Sequence, residues 1–325
     1  MALTKISRGL LNTGVSDSSD ATAITIDSSE NVTLAGTING IGISSGISNF
    51  SQSILISQDA GTGTLSTAGD NTGLGFDVFD DLTSGDFNTA LGSSALSKLT
   101  TGGENVAIGG NSLDANTTGS NNVAVGTSAL GANTTADNNT AVGTNALVAN
   151  TTGADNTAIG RNALDALTTG TNSVAIGESA LSTVTTSSGN TAIGKDALVL
   201  ATGADNTAVG KKAGDAVQAH TRNTFIGDSS GGSVNSSDNT FVGQNSGSAI
   251  TSGDANTILG RYDGNSEGLD IRTSSNHIVL SDGDGVSRMF IDNNGNMGLG
   301  LTNGDAGNAK LVMNGAISSA ADTAM

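Results

Sequence analysis

A phrase of about seventeen residues recurs twelve times between residues 70 and 264 of this 325-residue chain. Two copies read GADNTAIGRNAL at 153–164 and GADNTAVGKKAG at 203–214. The glycine near the middle of the phrase is spaced by 17 residues seven times, and then by 16, 17, 16 and 17. The twelve glycines are Gly75, Gly92, Gly109, Gly126, Gly143, Gly160, Gly177, Gly194, Gly210, Gly227, Gly243 and Gly260. Such strict periodicity is typical of a repeat architecture.

Each position in the phrase, counted from that glycine as position 0, has a narrow chemistry. Position −1 is aliphatic in all twelve copies, and position −3 is Thr in nine copies and Val in three. Position −4 is Asn in eleven copies, with Ser173 as the exception. Beta-branched residues that alternate with small ones after an Asn turn and before a Gly predict a short strand.

The second half of the phrase carries Leu at position +4 in seven copies and Gly in the last four. The leucines are Leu96, Leu113, Leu130, Leu147, Leu164, Leu181 and Leu198, and the glycines are Gly214, Gly231, Gly247 and Gly264. At position −2, Ala gives way to Phe225, Phe241 and Ile258 near the same point. We therefore expect the second segment to be rebuilt and the coil geometry to change there.

The length of the repeat selects one architecture. Helical hairpin repeats need about 33 to 47 residues, whereas 16 or 17 residues suit one coil of two short strands and two turns. Twelve stacked coils would span roughly 50–55 Å at about 4.8 Å per coil. Because a one-residue slip would turn every side chain to the other face, stacking in register explains the constant columns. We predict an all-β fold, a parallel β-solenoid of about 12 coils of 16–17 residues.

Positions −1 and −2 of the repeat, which we call the two central columns, are predicted to have different roles. Position −1 is predicted to form the core, at Ile108, Val125, Val142, Ile159, Ile176, Ile193, Val209 and Ile226. Position −2 is predicted to be the place where another chain approaches, at Ala107, Ala124, Ala141, Ala158, Ala175, Ala192 and Ala208. Three chains side by side would complete the thin core of each coil, so a homotrimer is expected. Val or Ile would serve the dry face of a monomer equally well.

The composition limits the classes of protein that fit. The chain has no Pro, Cys or Trp, and its small aliphatic residues favour a thin, layered core. A formal net charge of −18 argues against nucleic acid and against anionic lipid surfaces as partners. The sequence predicts no membrane span, since it holds no apolar run of sufficient length, and its first residues lack the apolar segment of a signal peptide.

Three segments are predicted from the extent of the repeat. Residues 1–65 lack the phrase and are interpreted as a tail followed by short strands, residues 66–264 form the repeat, and residues 265–325 alternate strands with tight turns. A last short strand is expected in AKLVMNGAI at 309–317. Atypical residues are needed to close the ends of a solenoid. Six phenylalanines near the two ends suit that role: Phe50, Phe76, Phe79, Phe87, Phe225 and Phe241.

Several short motifs suggest sites, but each has a simpler structural interpretation. GNTAIGKD at 189–196 follows P-loop spacing but places Asp196 where a Mg²⁺-binding Ser or Thr belongs. GISSG and GDSSG fit a nucleophile elbow, yet the chain has only two histidines and these segments are Ser-rich turns. SDGDG at 281–285 and IDNNGN at 291–296 offer oxygen ligands for a cation, but are hairpin turns first. No catalytic residue, metal or cofactor is predicted.

The phrases NTAIGRNAL and NSVAIGESAL resemble the NSVAIG-type repeats in the heads of trimeric autotransporter adhesins, over residues 70–264. That resemblance implies a left-handed β-roll built from three chains. DATAITIDSSENVTLAGTI near the start, and NHIVLSDGDGVSRMFIDNNGNMGLG with AKLVMNGAI near the end, resemble tail fibre proteins of marine bacteriophages. This second resemblance implies a structural protein of the virion, with its N-terminus held by tail or adaptor proteins and its distal end toward the host.

The function expected from these features is that of a non-enzymatic, homotrimeric fibre that supports host attachment from the virion, outside the cell. A host surface receptor is a possible partner. The alternative is a bacterial surface adhesin head of the trimeric autotransporter type. A tailspike depolymerase is less favoured, because acidic residues lie mostly in turns and aromatic residues avoid the middle coils. An ice-binding protein is also less favoured, since the Thr column is paired with an aliphatic column instead of a second Thr column.

Overall fold

The computed structural model describes residues 67–266 and 268–300, and before them the positions of five strands. These are β1 (Ile24–Ile26), β2 (Val32–Leu34), β3 (Thr37–Ile38), β4 (Ile41–Ile47) and β5 (Phe50–Ser57). The predicted virion-attachment role of residues 1–65 and the last strand expected at 309–317 lie outside the residues that the structure describes. Within the described ranges the chain is all β, and its regular part is a parallel β-solenoid of about 12 turns.

The solenoid contributes one three-residue strand per coil to a single parallel ladder. After β6 (Ala68–Gly69) the strands are β7 (Thr72–Leu74), β8 (Thr89–Leu91), β9 (Val106–Ile108), β10 (Val123–Val125), β11 (Thr140–Val142), β12 (Thr157–Ile159), β13 (Val174–Ile176), β14 (Thr191–Ile193), β15 (Thr207–Val209), β16 (Thr224–Ile226), β17 (Thr240–Val242) and β18 (Thr257–Leu259). Every strand pairs with the next in register, so Ala158 lies beside Ala175 and Ile159 beside Ile176. The predicted stacking of identical columns is confirmed.

The return half of each coil is a chain of turns, so the prediction of a second strand was wrong. In the coil of Gly160, Asn162 and Leu164 have φ angles of 57° and 51°. The left-handed conformation costs about 1–2 kcal/mol for a residue with a Cβ atom. Leu164 is fully buried, and burying a leucine side chain gains about 1.5–3 kcal/mol. Burial therefore offsets the strain, and the pattern of hydrophobic residues could not reveal this conformation.

The interior of the solenoid is lined by alanine from the strand and by Ala and Leu from the return half, and this reverses the predicted roles of the two central columns. The alanines predicted to contact another chain are completely buried within their own coils: Ala107, Ala124, Ala141, Ala158, Ala175, Ala192 and Ala208. The residues predicted as core are half-buried or exposed: Ile108, Val125, Val142, Ile159, Ile176, Ile193, Val209 and Ile226. The reason is steric. The coil is so thin that only a small residue such as alanine fits opposite Leu164 and its equivalents, and the larger residues at position −1 therefore point outward.

The conserved shape of each coil depends on its glycine at position 0. Gly160 has a φ of 137°, and a Cβ atom on it would lie 2.5 Å from the carbonyl oxygen of Gly177 in the next coil. A side chain of any size would therefore push the coils apart. This close approach explains why all twelve copies keep the glycine.

A buried ladder of asparagines joins the coils at position −4. The Oδ1 atom of Asn139 accepts the backbone N–H of Asn156 at 3.0 Å, and its Nδ2 atom donates to the carbonyl of Gly153 at 2.9 Å. The backbone N–H of Asn139 donates in turn to Oδ1 of Asn122 at 3.0 Å. Each asparagine thus satisfies backbone groups in the coil interior, where an unpaired group is costly.

The change in sequence near residue 214 does not change the path of the backbone. Ala208 pairs with Phe225 in the same register as its predecessors. The Gly214 N–H donates to the carbonyl of Ser230, as the Leu198 N–H donates to that of Ala213. The expectation of a rebuilt segment was therefore wrong at Gly214, Gly231 and Gly247, where only the side chains that fill the core change. It holds at Gly264, which has a φ of 118° and lies beside the hairpin that replaces the turns of the return half.

Antiparallel strands lie at both ends of the ladder. Strand β5 is parallel to β7, and β4 is antiparallel to β5. After a small hairpin of β19 (Asn265–Ser266) and β20 (Leu269–Asp270), the ladder continues with β21 (Ile278–Ser281), β22 (Ser287–Ile291) and β23 (Met297–Leu299). The tight turns predicted between these last strands are confirmed.

The aromatic residues at the ends divide into two groups. Phe79, Phe225 and Phe241 are buried in the core, whereas Phe76 and Phe87 are exposed. The prediction that aromatic residues close the core therefore holds for three of them and was wrong for Phe76 and Phe87, and the side chain of Phe50 lies outside the residues that the structure describes.

Candidate functional site

One surface that the fold creates is the outer side of strands β7–β18, which we term the strand face. In each three-residue strand the middle side chain points inward and the two outer ones point outward, as Thr157 and Ile159 do on either side of Ala158. The strand face thus carries a column of Thr or Val at position −3 and a parallel column of aliphatic residues at position −1.

The aliphatic column of the strand face is unusually exposed for such apolar side chains. Leu74 is 48% exposed, Ile159 39% and Ile226 40%. The column runs without interruption through twelve strands, which spans roughly 50 Å at about 4.8 Å per strand. A continuous exposed apolar surface of this kind marks an interaction site in many proteins.

Ion pairs between neighbouring coils lie along the edge of the strand face that follows the glycine. Glu178 binds Arg161 on the coil before it and Lys195 on the coil after it, with Lys195 Nζ at 2.8 Å from Oε2. The Lys195 ammonium, and then the Arg161 guanidinium, hold the pKa of Glu178 below its usual value. Beside these three coils the apolar column is therefore bordered by charged side chains.

A second charged pair lies on the edge that precedes the strand. Arg222 donates from Nε to Oδ1 of Asp238 at 2.6 Å and from Nη2 to Oδ2 at 2.9 Å. The bidentate hydrogen bond from Arg222 lowers the pKa of Asp238. An apolar centre with a polar rim is the usual anatomy of a protein–protein interface.

The side chains of the motifs that suggested nucleotide and cation sites form other contacts. In GNTAIGKD, residues 191–193 form β14, and the segment after Gly194 is a turn in which Lys195 pairs with Glu178. Asp282 accepts the N–H groups of Asp284 and Val286 and binds Arg288. No group of three or more potential metal ligands occurs among the residues that the structure describes.

One buried polar column was not predicted. Position +7 is apolar in most coils, for example at Leu99 and Leu167, but three consecutive coils carry asparagine there. Nδ2 of Asn133 donates to Oδ1 of Asn116 at 3.2 Å, and Nδ2 of Asn150 donates to Oδ1 of Asn133 at 3.0 Å. The repeated Asn-Thr-Thr in these coils was the available signal.

Comparisons of the chain with models of protein families, with curated proteins and with solved structures found no match. The described part of the chain contains no helix long and apolar enough to cross a membrane. The strand face is an elongated, repetitive and partly apolar surface that follows the parallel ladder of backbone hydrogen bonds.

Proposed function

We propose that the protein is a non-enzymatic fibre of a bacteriophage virion, in which three chains associate through their strand faces. The observation that carries the proposal is the aliphatic column along β7–β18, whose side chains are half-buried or exposed in every strand. Self-association would remove this column from water over the whole length of the solenoid. The sequence resemblance to adhesin heads and phage tail fibres supports the same assembly.

The fibre would act as a spacer that holds a receptor-binding element away from the particle. Its rigidity comes from the parallel ladder, from the in-register glycines at position 0 and from the buried asparagines. The N-terminal region would bind tail or adaptor proteins, and the distal end would face the host cell. No step of this function needs a cofactor.

The assembly is tested by the mass of the full chain in solution. Light scattering coupled to size exclusion should give about 95 kDa for a trimer, against 31.7 kDa for one chain. Ile159→Arg on the strand face should produce folded monomers with an unchanged β-sheet spectrum. Thr169→Arg, at an exposed corner position, is the matched control and should remain trimeric. A monomeric wild-type protein would refute the proposed trimer.

The location is tested with antibodies against the full chain. Immunogold electron microscopy of intact virions should show label on the tail, away from the capsid. Label on the surface of uninfected bacterial cells would support the adhesin alternative instead. Shortening of host polysaccharide by the purified protein would refute the non-enzymatic assignment.

Ice binding is a second candidate that the structure favours more than the sequence did. Thr157 and its equivalents lie on the outward face beside the aliphatic column. Rows of methyl and hydroxyl groups that repeat from strand to strand suit an ordered surface such as ice. This function requires a free strand face, so a monomeric protein that inhibits ice recrystallisation would replace the trimer proposal.

A further inference from the structure

Position −5 of the repeat has a conformation that suits few residue types. Its non-glycine residues have φ angles between 55° and 64° throughout the described coils. Most of them are Asn or Asp, whose short polar side chains tolerate this conformation best. Glu104, Arg222 and Ala255 depart from that pattern, and Phe87 departs from it with an aromatic side chain at a φ of 60°.

The burial of Phe87 does not explain its presence. Phe79 also has a left-handed φ, 57°, but its side chain is 5% exposed and fills the core. Phe87, by contrast, is 60% exposed. The conformational cost of an aromatic residue is therefore compensated at Phe79 by packing and is left uncompensated within the fold at Phe87.

Phe87 lies in an open groove of about 340 Å³ on the corner that precedes the strand. The groove crosses three coils, which is about 10 Å along the axis, and Asp86, Thr101, Glu104 and Asn121 line it. Within the part of the chain that the structure describes, no hydrogen bond or ion pair engages the side chains of Thr101, Glu104 and Asn121. The groove thus combines an exposed aromatic face with free hydroxyl, carboxylate and amide groups.

We propose that this groove is a glycan-binding subsite, with Phe87 as its aromatic platform. A sugar ring offers an apolar face to an aromatic side chain and hydroxyl groups that donate and accept hydrogen bonds. Glu104 and Asn121 are placed to accept and donate these bonds on neighbouring coils. Asp86 and Glu104 disfavour acidic glycans by charge repulsion, so the ligand class is a neutral or amino-sugar oligosaccharide.

The subsite goes beyond the proposed spacer function, because it would give this chain a direct contact with a surface polysaccharide. It lies on the corner that precedes the strand, in the column of Arg222 and Asp238 that borders the strand face. Glycan binding and solution mass are measured separately on the full chain, so failure of glycan binding leaves the proposed fibre untouched, and a monomeric protein that binds the glycan leaves the subsite untouched.

The test is calorimetric titration of the full-length protein with linear hexasaccharides. The panel contains cello-, malto-, manno-, N-acetylchito- and chitosan oligosaccharides, with oligogalacturonate as the acidic comparison. At least one neutral or amino-sugar ligand should bind, and Phe87→Ala should weaken its binding at least tenfold. Phe76→Ala is the matched control, since Phe76 is also an exposed aromatic residue, 48% exposed, on another column.

A second measurement separates a binding role from a structural one. Phe87→Asn installs the residue type that position −5 favours. The melting temperature of this variant should equal that of the wild type, or exceed it by about 2 °C or more if the backbone strain is fully relieved. Its glycan binding should be lost. The proposal is overturned by the absence of binding to every neutral and amino-sugar oligosaccharide at millimolar concentration. Binding that survives Phe87→Ala, a preference for oligogalacturonate, or a lower melting temperature for Phe87→Asn would overturn it equally.

Discussion

The ring of Phe225 occupies the space that a side chain on Gly231 would fill, since a Cβ atom on Gly231 would lie 2.5 Å from Cδ1 of that ring. A Cβ atom on Gly214, in the preceding coil, would lie 2.7 Å from the same ring. The ring of Phe225, on the strand, thus fills the volume that leucine side chains of the return half fill in the middle coils. The first coil has the reverse arrangement, with Gly73 on the strand and Phe79 on the return half, both buried.

Removing this ring should be one of the most damaging single changes in the solenoid. We expect Phe225→Ala to lower the free energy of unfolding by about 3–5 kcal/mol, because a cavity remains between two glycine layers. Adding Gly231→Leu should recover part of the loss, since leucine adopts φ angles near 50° at this position in other coils, as at Leu164. Urea unfolding monitored by circular dichroism measures both, and the single variant Gly231→Leu should destabilise the protein.

The same compensation should be transferable to a middle coil. We expect Ala158→Phe alone to overpack the core and to destabilise by about 1–3 kcal/mol, and Leu164→Gly alone to leave a cavity. The double variant should be more stable than either single one, which a double-mutant cycle measures. If the losses in unfolding free energy of the two single variants simply add in the double variant, then the side chains at 158 and 164 do not compete for the same space.

The asparagine ladder should depend on an acceptor at position −4. Asn139→Ala should cost about 1–3 kcal/mol, because the buried N–H of Asn156 loses its acceptor, and the amide of Asn156 should exchange faster with solvent. Asn139→Ser should cost less, since Ser173 accepts the N–H of Asn190 at 3.4 Å in the same column. Equal losses for Ala and Ser would contradict a hydrogen-bonding role.

The second asparagine column should behave as a unit. Oδ1 of Asn150 is buried without a hydrogen-bond partner in the described structure, because the next coil has Leu167 at this position. Asn133→Leu alone should destabilise by about 1–3 kcal/mol, since it removes one donor to Oδ1 of Asn116 and the acceptor for Nδ2 of Asn150. Replacing Asn116, Asn133 and Asn150 together by Leu should cost less than that single change. A melting temperature of the triple variant below that of Asn133→Leu would refute this.

The stability of the return half should vary with pH through Asp165. Burial raises the pKa of this carboxyl above 3.8, and its Oδ1 atom has no partner in the described structure. A raised pKa in the folded state means that the ionised form destabilises the fold, fully above that pKa and not at all below 3.8. Asp165→Val, which copies Val148 in the same column, should therefore stabilise the protein at pH 7.

The gain from Asp165→Val should disappear as the pH falls below 3.8, where the carboxyl is protonated in both states. Thermal melts between pH 3 and pH 8, about one unit apart, follow this trend. Asp155→Asn at an exposed corner is the matched control and should leave the melting temperature nearly unchanged. If Asp165→Val raises the melting temperature by the same amount at every pH, then its effect comes from packing alone and the prediction is wrong.

The sequence by itself determined the period, the parallel in-register stacking, the position of the strand before each repeat glycine and the tight turns near the end. All of these follow from columns of similar residues, since hydrogen bonding between identical coils tolerates no slip. The sequence could not predict the left-handed turns of the return half. Glycine or asparagine normally marks such a position, but Leu164 adopts a φ of 51° there.

Only the tertiary structure decided which side of each strand faces inward. Alternation in a strand such as Thr157–Ile159 defines two faces, and hydropathy alone would bury the isoleucine. The coil is too thin for that, because Leu164 enters from the opposite wall and leaves room for Ala158 alone. The side chains of the strand and of the return half fill the same narrow interior, so Ile159 does not fit there. It therefore points outward and forms part of the strand face.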